Sequence, residues 1–149
     1  QIKSDARDIL VVDDYAHHPT EIRATLQAAK SVAKKRVIAI FQPHRYTRVE
    51  LLAEEFAKSF DAVDLLIITD IYSAGEQAIP GVSAELIIKY LKKHYKSKFE
   101  YLKTFDEIFN LVCKTAQPGD LIITLGAGNI WTLSERIAKN FVAETANKK

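Results

Sequence analysis

The sequence predicts a three-layer, doubly wound α/β domain built on a mainly parallel sheet, and three observations carry that prediction. Short runs rich in Val, Ile and Leu recur at Asp8 to Asp13, Arg36 to Gln42, Asp64 to Asp70, Lys98 to Lys103 and Asp120 to Leu125. Within four of them, at 9 to 12, 37 to 41, 65 to 68 and 121 to 123, the apolar residues are continuous, as in strands covered on both faces. Between the runs lie segments whose apolar residues return at three- and four-residue steps, so strand and helix alternate along the chain. Right-handed crossovers turn that order into a parallel sheet.

The elements follow in turn. The first strand leads into a helix marked by Ile22, Leu26, Ala29 and Ala33, and the second into one marked by Val49, Leu52, Phe56 and Phe60. Leu86, Ile87, Tyr90 and Leu91 mark the third; the fourth and fifth helices are predicted at Phe105 to Ala116 and Asn129 to Val142. Boundary chemistry agrees: Thr104 with Glu107 forms a capping-box pattern, Ser83 can cap the third helix, and Pro118-Gly119 breaks the chain before the last strand. The outcome is a Rossmann-like topology. Lys98 to Lys103, charged at both ends and at Glu100, is the predicted edge strand.

Composition bounds the function. At 149 residues, 48% hydrophobic and 27% charged, the chain fits one domain spanning 1–149, with no internal repeat or linker. A net charge of +2, from 21 basic and 19 acidic residues, supplies no broad field for a nucleic-acid backbone. No apolar stretch approaches the ~20 residues that span a bilayer. The polar opening Gln1-Ile2-Lys3-Ser4-Asp5 carries no signal-peptide pattern, so a cytoplasmic location is expected. The absence of methionine suggests a chain cut from a longer polypeptide or processed. The single cysteine, Cys113, lies in an apolar run and reads as a small core residue.

Polar residues gather after the strands, where open parallel sheets collect functional groups. Asp13-Asp14-Tyr15-Ala16-His17-His18-Pro19-Thr20-Glu21 follows the first strand and Gln42-Pro43-His44-Arg45-Tyr46-Thr47-Arg48 the second. Asp70-Ile71-Tyr72-Ser73-Ala74-Gly75-Glu76 follows the third and Gly126-Ala127-Gly128-Asn129 the fifth. Arg45 and Arg48, near a helix start, form a fork for a carboxylate or phosphate; the alternative is a surface pair balanced by Glu50 and Glu54. His17 can bind an anion or position a nucleophile, whereas His18 before Pro19 can close the turn and start the helix. Adjacent imidazoles rarely point the same way and no third ligand supports them, so no metal site is predicted. Asp13 and Asp14 suit magnesium or ribose hydroxyls, or equally a strand-end cap. Gly126-Ala127-Gly128 is a weak dinucleotide signature, and no G-x-x-x-x-G-K-[ST] motif exists to hold a nucleoside triphosphate.

Two resemblances follow. Asp8-Ile9-Leu10-Val11-Val12-Asp13-Asp14 resembles the first strand of bacterial response-regulator receiver domains, for which Asp70 would be the phosphoacceptor. The lysine such a domain needs after strand five is missing from Leu125-Gly126-Ala127-Gly128. All four polar segments together resemble the carboxy-terminal domain of the Mur ligases of peptidoglycan synthesis, and Gln42-Pro43-His44-Arg45-Tyr46-Thr47-Arg48 points to the alanine-adding members. That resemblance implies a three-domain bacterial enzyme whose other domains hold the UDP sugar, the P-loop and Mg2+. It further implies ATP-dependent joining of L-alanine to UDP-N-acetylmuramate through an acyl phosphate, with no catalytic group on this domain and no activity from it alone. By the same resemblance Arg45, Arg48 and His17, with His44 nearby, hold the alanine carboxylate, Asp13 and Tyr15 approach the ATP ribose and adenine, and Tyr72, Glu76 and Gly126 to Asn129 shape the cleft.

Overall fold

A computed structural model of the chain describes residues 1–147. Its strands are β1 (Ile2–Ser4), β2 (Leu10–Asp14), β3 (Val37–Phe41), β4 (Leu65–Ile68), β5 (Lys98–Tyr101) and β6 (Leu121–Leu125). Its helices are α1 (Pro19–Val32), α2 (Tyr46–Ala57), α3 (Glu85–His94), α4 (Phe105–Thr115) and α5 (Trp131–Ala146), with a single 3-10 turn at Ala6–Asp8. The sheet order is β1-β2-β6-β3-β4-β5. Only β1 runs antiparallel.

Pleating sorts the apolar runs between two cores. Val11, Ile122, Ile38 and Leu65 are register partners across four strands and face α4 and α5, where Ile108, Val112, Leu133, Ile137 and Phe141 cover them. Val12, Ile123, Ala39 and Leu66 form the next row and face α1, α2 and α3. There Phe41 meets the rings of Phe56 and Phe60 at 5.2 and 5.4 Å. Fully burying one such aromatic contributes roughly 2–3 kcal/mol, which is why every position of β3, β4 and β6 is apolar or fully sealed. The doubly wound, three-layer prediction therefore holds, and β5 is the predicted edge.

The other edge is an addition. β1 has only three residues, one of them Lys3, and leaves no apolar run or alternation to read. Predicted boundaries otherwise hold to within a few residues. Thr104 and Glu107 form the reciprocal capping box at α4. The Ser83 hydroxyl accepts from the Glu85 amide at 3.2 Å, but Ala84 intervenes, so α3 starts one residue later than a Ser83 cap implies. α5 starts at Trp131 because Asn129 and Ile130 first make a tight turn to Thr132 and Leu133. Cys113 is half-buried between α4 and α5, where burial pushes its thiol pKa up. Among the described residues no helix is long and apolar enough to cross a membrane.

Candidate functional site

Topology assembles the site. Because β6 lies between β2 and β3, the loops after those three strands adjoin at the carboxyl edge of the sheet, and an open cleft of about 520 Å³ lies against them. Tyr15 and His17 come from the first loop, His44 and Arg45 from the second, Arg48 from the first turn of α2 and Ala127 from the third loop, with Leu51 and Leu52 as an apolar wall. Tyr15 and Leu51 are 70% and 80% exposed, so the cleft has greasy rims around a cationic floor.

The floor is a chain of rings and guanidiniums. His17 meets Tyr15 edge-on at 5.4 Å and His44 at 5.7 Å, while His44 stacks on Tyr72 at 5.8 Å and 12°. The Nδ1 of His17 lies 3.0 Å from the Tyr15 carbonyl. Arg48 Nη1 lies 3.1 Å from His44 Nδ1, which must accept, so His44 keeps its proton on Nε2. Burial, and then the positive charge of Arg48, lower the His44 pKa below the ordinary histidine value. The unfolded chain therefore binds a proton first as pH falls, and stability present above about pH 6.5 is lost toward the folded midpoint. An NMR titration of the His44 ring should give a midpoint below about 6.5; a higher one would show that Arg48 does not hold it neutral.

Arg45 sits at the start of α2 with φ +72, a left-handed conformation uncommon outside glycine. Two links fix it. The Tyr72 amide donates to Pro43 O at 2.8 Å and the Arg45 amide to Tyr72 O at 2.9 Å, extending the β3–β4 pairing past its ladder. Among the described residues no ion pair involves Arg45 or Arg48. The predicted surface alternative fails, since Glu54 pairs with Lys58 at 2.9 Å instead. Two guanidiniums with no carboxylate at ion-pair distance among the described residues, beside a neutral imidazole, form a receptor for an anion.

The first segment divides. His18 turns away from His17 and accepts from the Thr20 amide at 3.3 Å as N-cap of α1, while Glu21 completes the capping box. Asp14 accepts from the Ala16 amide at 2.9 Å and from Thr25, the structural option. Asp13 points to the opposite sheet face and accepts from Thr124 Oγ1 at 2.6 Å. It does not line the cleft that holds Tyr15, His17, His44, Arg45 and Arg48. Among the described residues no cluster of His, Cys, Asp and Glu is arranged to hold a metal. Asp70 follows β4, separated from the end of β2 by β6 and β3, and is bonded by the Tyr101 hydroxyl.

Sequence reasoning left three groups without roles. Gln42 is 5% exposed, donates to Asn129 Oδ1 at 2.8 Å and ties the β6 loop to β3. A Cβ on Gly128 would stand 2.5 Å from the Tyr72 ring and 2.6 Å from Gln42 Oε1, so only glycine lets that loop close on Tyr72. Glu76 accepts at the start of α2 from the Thr47 amide and hydroxyl, at 3.1 and 2.6 Å. The available signal was negative: α2 begins after an arginine, which cannot cap it, so an acceptor had to come from elsewhere.

The family model for the Mur ligase, glutamate ligase domain, matches residues 1–128. The chain belongs to that family. This Mur ligase domain is 49% identical over 139 residues to the UDP-N-acetylmuramate--L-alanine ligase of Pelotomaculum thermopropionicum, covering 93% of the chain and 30% of that relative. It thus spans about a third of the length of the relatives it matches. Its fold matches UDP-N-acetylmuramate-alanine ligase of Thermotoga maritima with a TM-score of 0.72 at 27% identity, over 93% of this chain and 28% of that one. A murein peptide ligase of Psychrobacter arcticus matches with a TM-score of 0.76 at 26% identity, over 95% and 29%. Membership of the Mur ligase family leaves the receiver-like alternative without support.

Proposed function

We propose that this Mur ligase domain is the amino-acid-receiving part of an ATP-dependent ligase that joins L-alanine to UDP-N-acetylmuramate in the bacterial cytoplasm. The observation that carries the reading is the pair Arg45 and Arg48, in no ion pair among the described residues and lining a cleft with His17 and the neutral His44. A small zwitterion offers one carboxylate for those donors and one amine that must stay outside the cationic floor, free to react. In this reading His17, Arg45 and Arg48 hold the carboxylate. His44 acts mainly by orienting Arg48, and Leu51 and Leu52 border the side chain.

Tyr15 presents an exposed ring for an adenine base, whereas Asp13, engaged with Thr124, needs its second oxygen to reach a ribose hydroxyl. In this reading Mg2+ and the triphosphate are held mainly by the other domains of the enzyme, as Mg2+ commonly sits on substrate phosphates with one or two carboxylates. There ATP would phosphorylate the lactyl carboxylate, and the alanine amine would displace phosphate to form the amide. The chain contributes position and charge neutralisation, with no group that attacks or transfers a proton.

Mixing the 149-residue chain with ATP, L-alanine and UDP-N-acetylmuramate should give no phosphate release, while the complete polypeptide carrying it should release phosphate only when all three are present. Turnover by the chain alone, or a complete enzyme that ignores L-alanine, would end this reading.

A further inference from the structure

The turn that carries Glu76 is built to a specification. Ala74 and Gly75 both have positive φ, +52 and +84, and the Glu76 amide donates to Ser73 O at 3.0 Å, the geometry of a type I′ turn. A non-glycine residue at the first of those positions is uncommon. The turn aims the Glu76 carboxylate at the first turn of α2, where no side chain of that helix caps the free amides. Both carboxylate oxygens are used, one by the Thr47 amide and one by the Thr47 hydroxyl. Immediately before Thr47 and Tyr46 stands Arg45, held left-handed on its other side by Tyr72. From a single loop, Tyr72 thus holds the Arg45 amide and Glu76 holds Thr47 two residues on.

We propose that Glu76 is a positioning residue for the anion receptor, acting through Thr47 to hold Arg45 in the left-handed conformation that points its guanidinium into the cleft beside Arg48. The inference rests on the amino-acid-receiving reading above and adds a second role for the same carboxylate. An uncapped helix start attracts anions. With Glu76 seated there, that attraction is already satisfied, and an incoming carboxylate has only the guanidiniums left to bind. Thr47 Oγ1 and Arg45 are the groups that sense it: the Thr47 hydrogen bond, foremost, and the Arg45 charge hold the Glu76 carboxyl below its ordinary pKa.

The test is steady-state kinetics on the complete polypeptide with Glu76→Ala, Glu76→Gln and Arg48→Ala, varying L-alanine and ATP separately. Removing a capping acceptor should raise the KM for L-alanine about tenfold, while kcat and the KM for ATP move by less than about twofold. Glu76→Gln keeps one oxygen acceptor without the charge and should fall between wild type and Glu76→Ala. If Glu76→Ala does not fold, the glutamine variant decides: a raised KM for L-alanine at unchanged thermal midpoint supports the proposal, and an unchanged one overturns it. Equal losses in kcat and both KM values would show a merely structural role and overturn it too. Should Arg48→Ala also leave the KM for L-alanine unmoved, the receptor reading itself fails; if Arg48→Ala raises it and neither Glu76 variant does, only the positioning role falls.

Discussion

Arg48→Ala in the complete ligase should raise the KM for L-alanine by roughly 30-fold or more, the equivalent of the ~2 kcal/mol at the lower end of what unpairing a bound charge costs. Arg45→Ala should have the same sign and a smaller size. The order follows from their settings. Arg48 is half-buried and oriented by His44, so its guanidinium meets a ligand carboxylate already aimed and partly desolvated. Arg45 is exposed, and its interaction is screened by solvent. Lysine at 48 would restore charge without the planar fork that reaches His44 and a carboxylate together, so it should recover only part of the loss. A KM for L-alanine within twofold of wild type in both alanine variants would remove the anion receptor from the account.

The fold was legible because its signals are cumulative. Four continuous apolar runs and the three-residue steps between them depend on many residues at once, and no single exception such as Glu100 in β5 could hide the pattern. β1 was illegible for the opposite reason, since three residues at an exposed edge make no pattern. The arginine fork was legible as a pair, since Arg45 and Arg48 meet at the start of α2 and line one cleft, but not in its geometry, since Arg45 stands at the N-cap with φ +72, outside the helical spacing that three residues imply. Asp13 shows where that logic stops. In a strand, neighbours point to opposite faces, so Asp14 turns to α1 and Asp13 to Thr124, and neither joins the cleft that Tyr15 and His17 reach. His44 and Tyr72 stack across a separation set only by β3–β4 pairing, and Glu76 acts on Thr47 from 29 positions away. Periodicity carries no record of such contacts.

The opposite end of the sheet should show the largest effect on stability. Asp120 is fully buried and accepts from Arg36 Nε at 3.0 Å, from Arg36 Nη2 at 2.6 Å and from the Gln117 amide at 2.8 Å. Arg36 Nη2 also donates to Thr115 O at 3.0 Å, so one ion pair joins the end of α4, the turn before β6 and the start of β3. Asp120→Ala would leave a guanidinium and an amide without their acceptor beside the core. Breaking a buried pair costs ~3–5 kcal/mol, but the Arg36 side chain is 38% exposed and water can reclaim part of that, so about 2–4 kcal/mol is expected. For a chain of this size the thermal midpoint should fall by roughly 5–15 °C. Asp120→Asn, which keeps an oxygen for the guanidinium and loses the charge, should fall less. Because the pair lies across the sheet from the cleft, the folded fraction of either variant should retain its ring and guanidinium arrangement, seen as an unchanged His44 titration. A midpoint within about 2 °C of wild type for Asp120→Ala would mean that Arg36 is satisfied by solvent and that the turn before β6 is held by apolar packing alone.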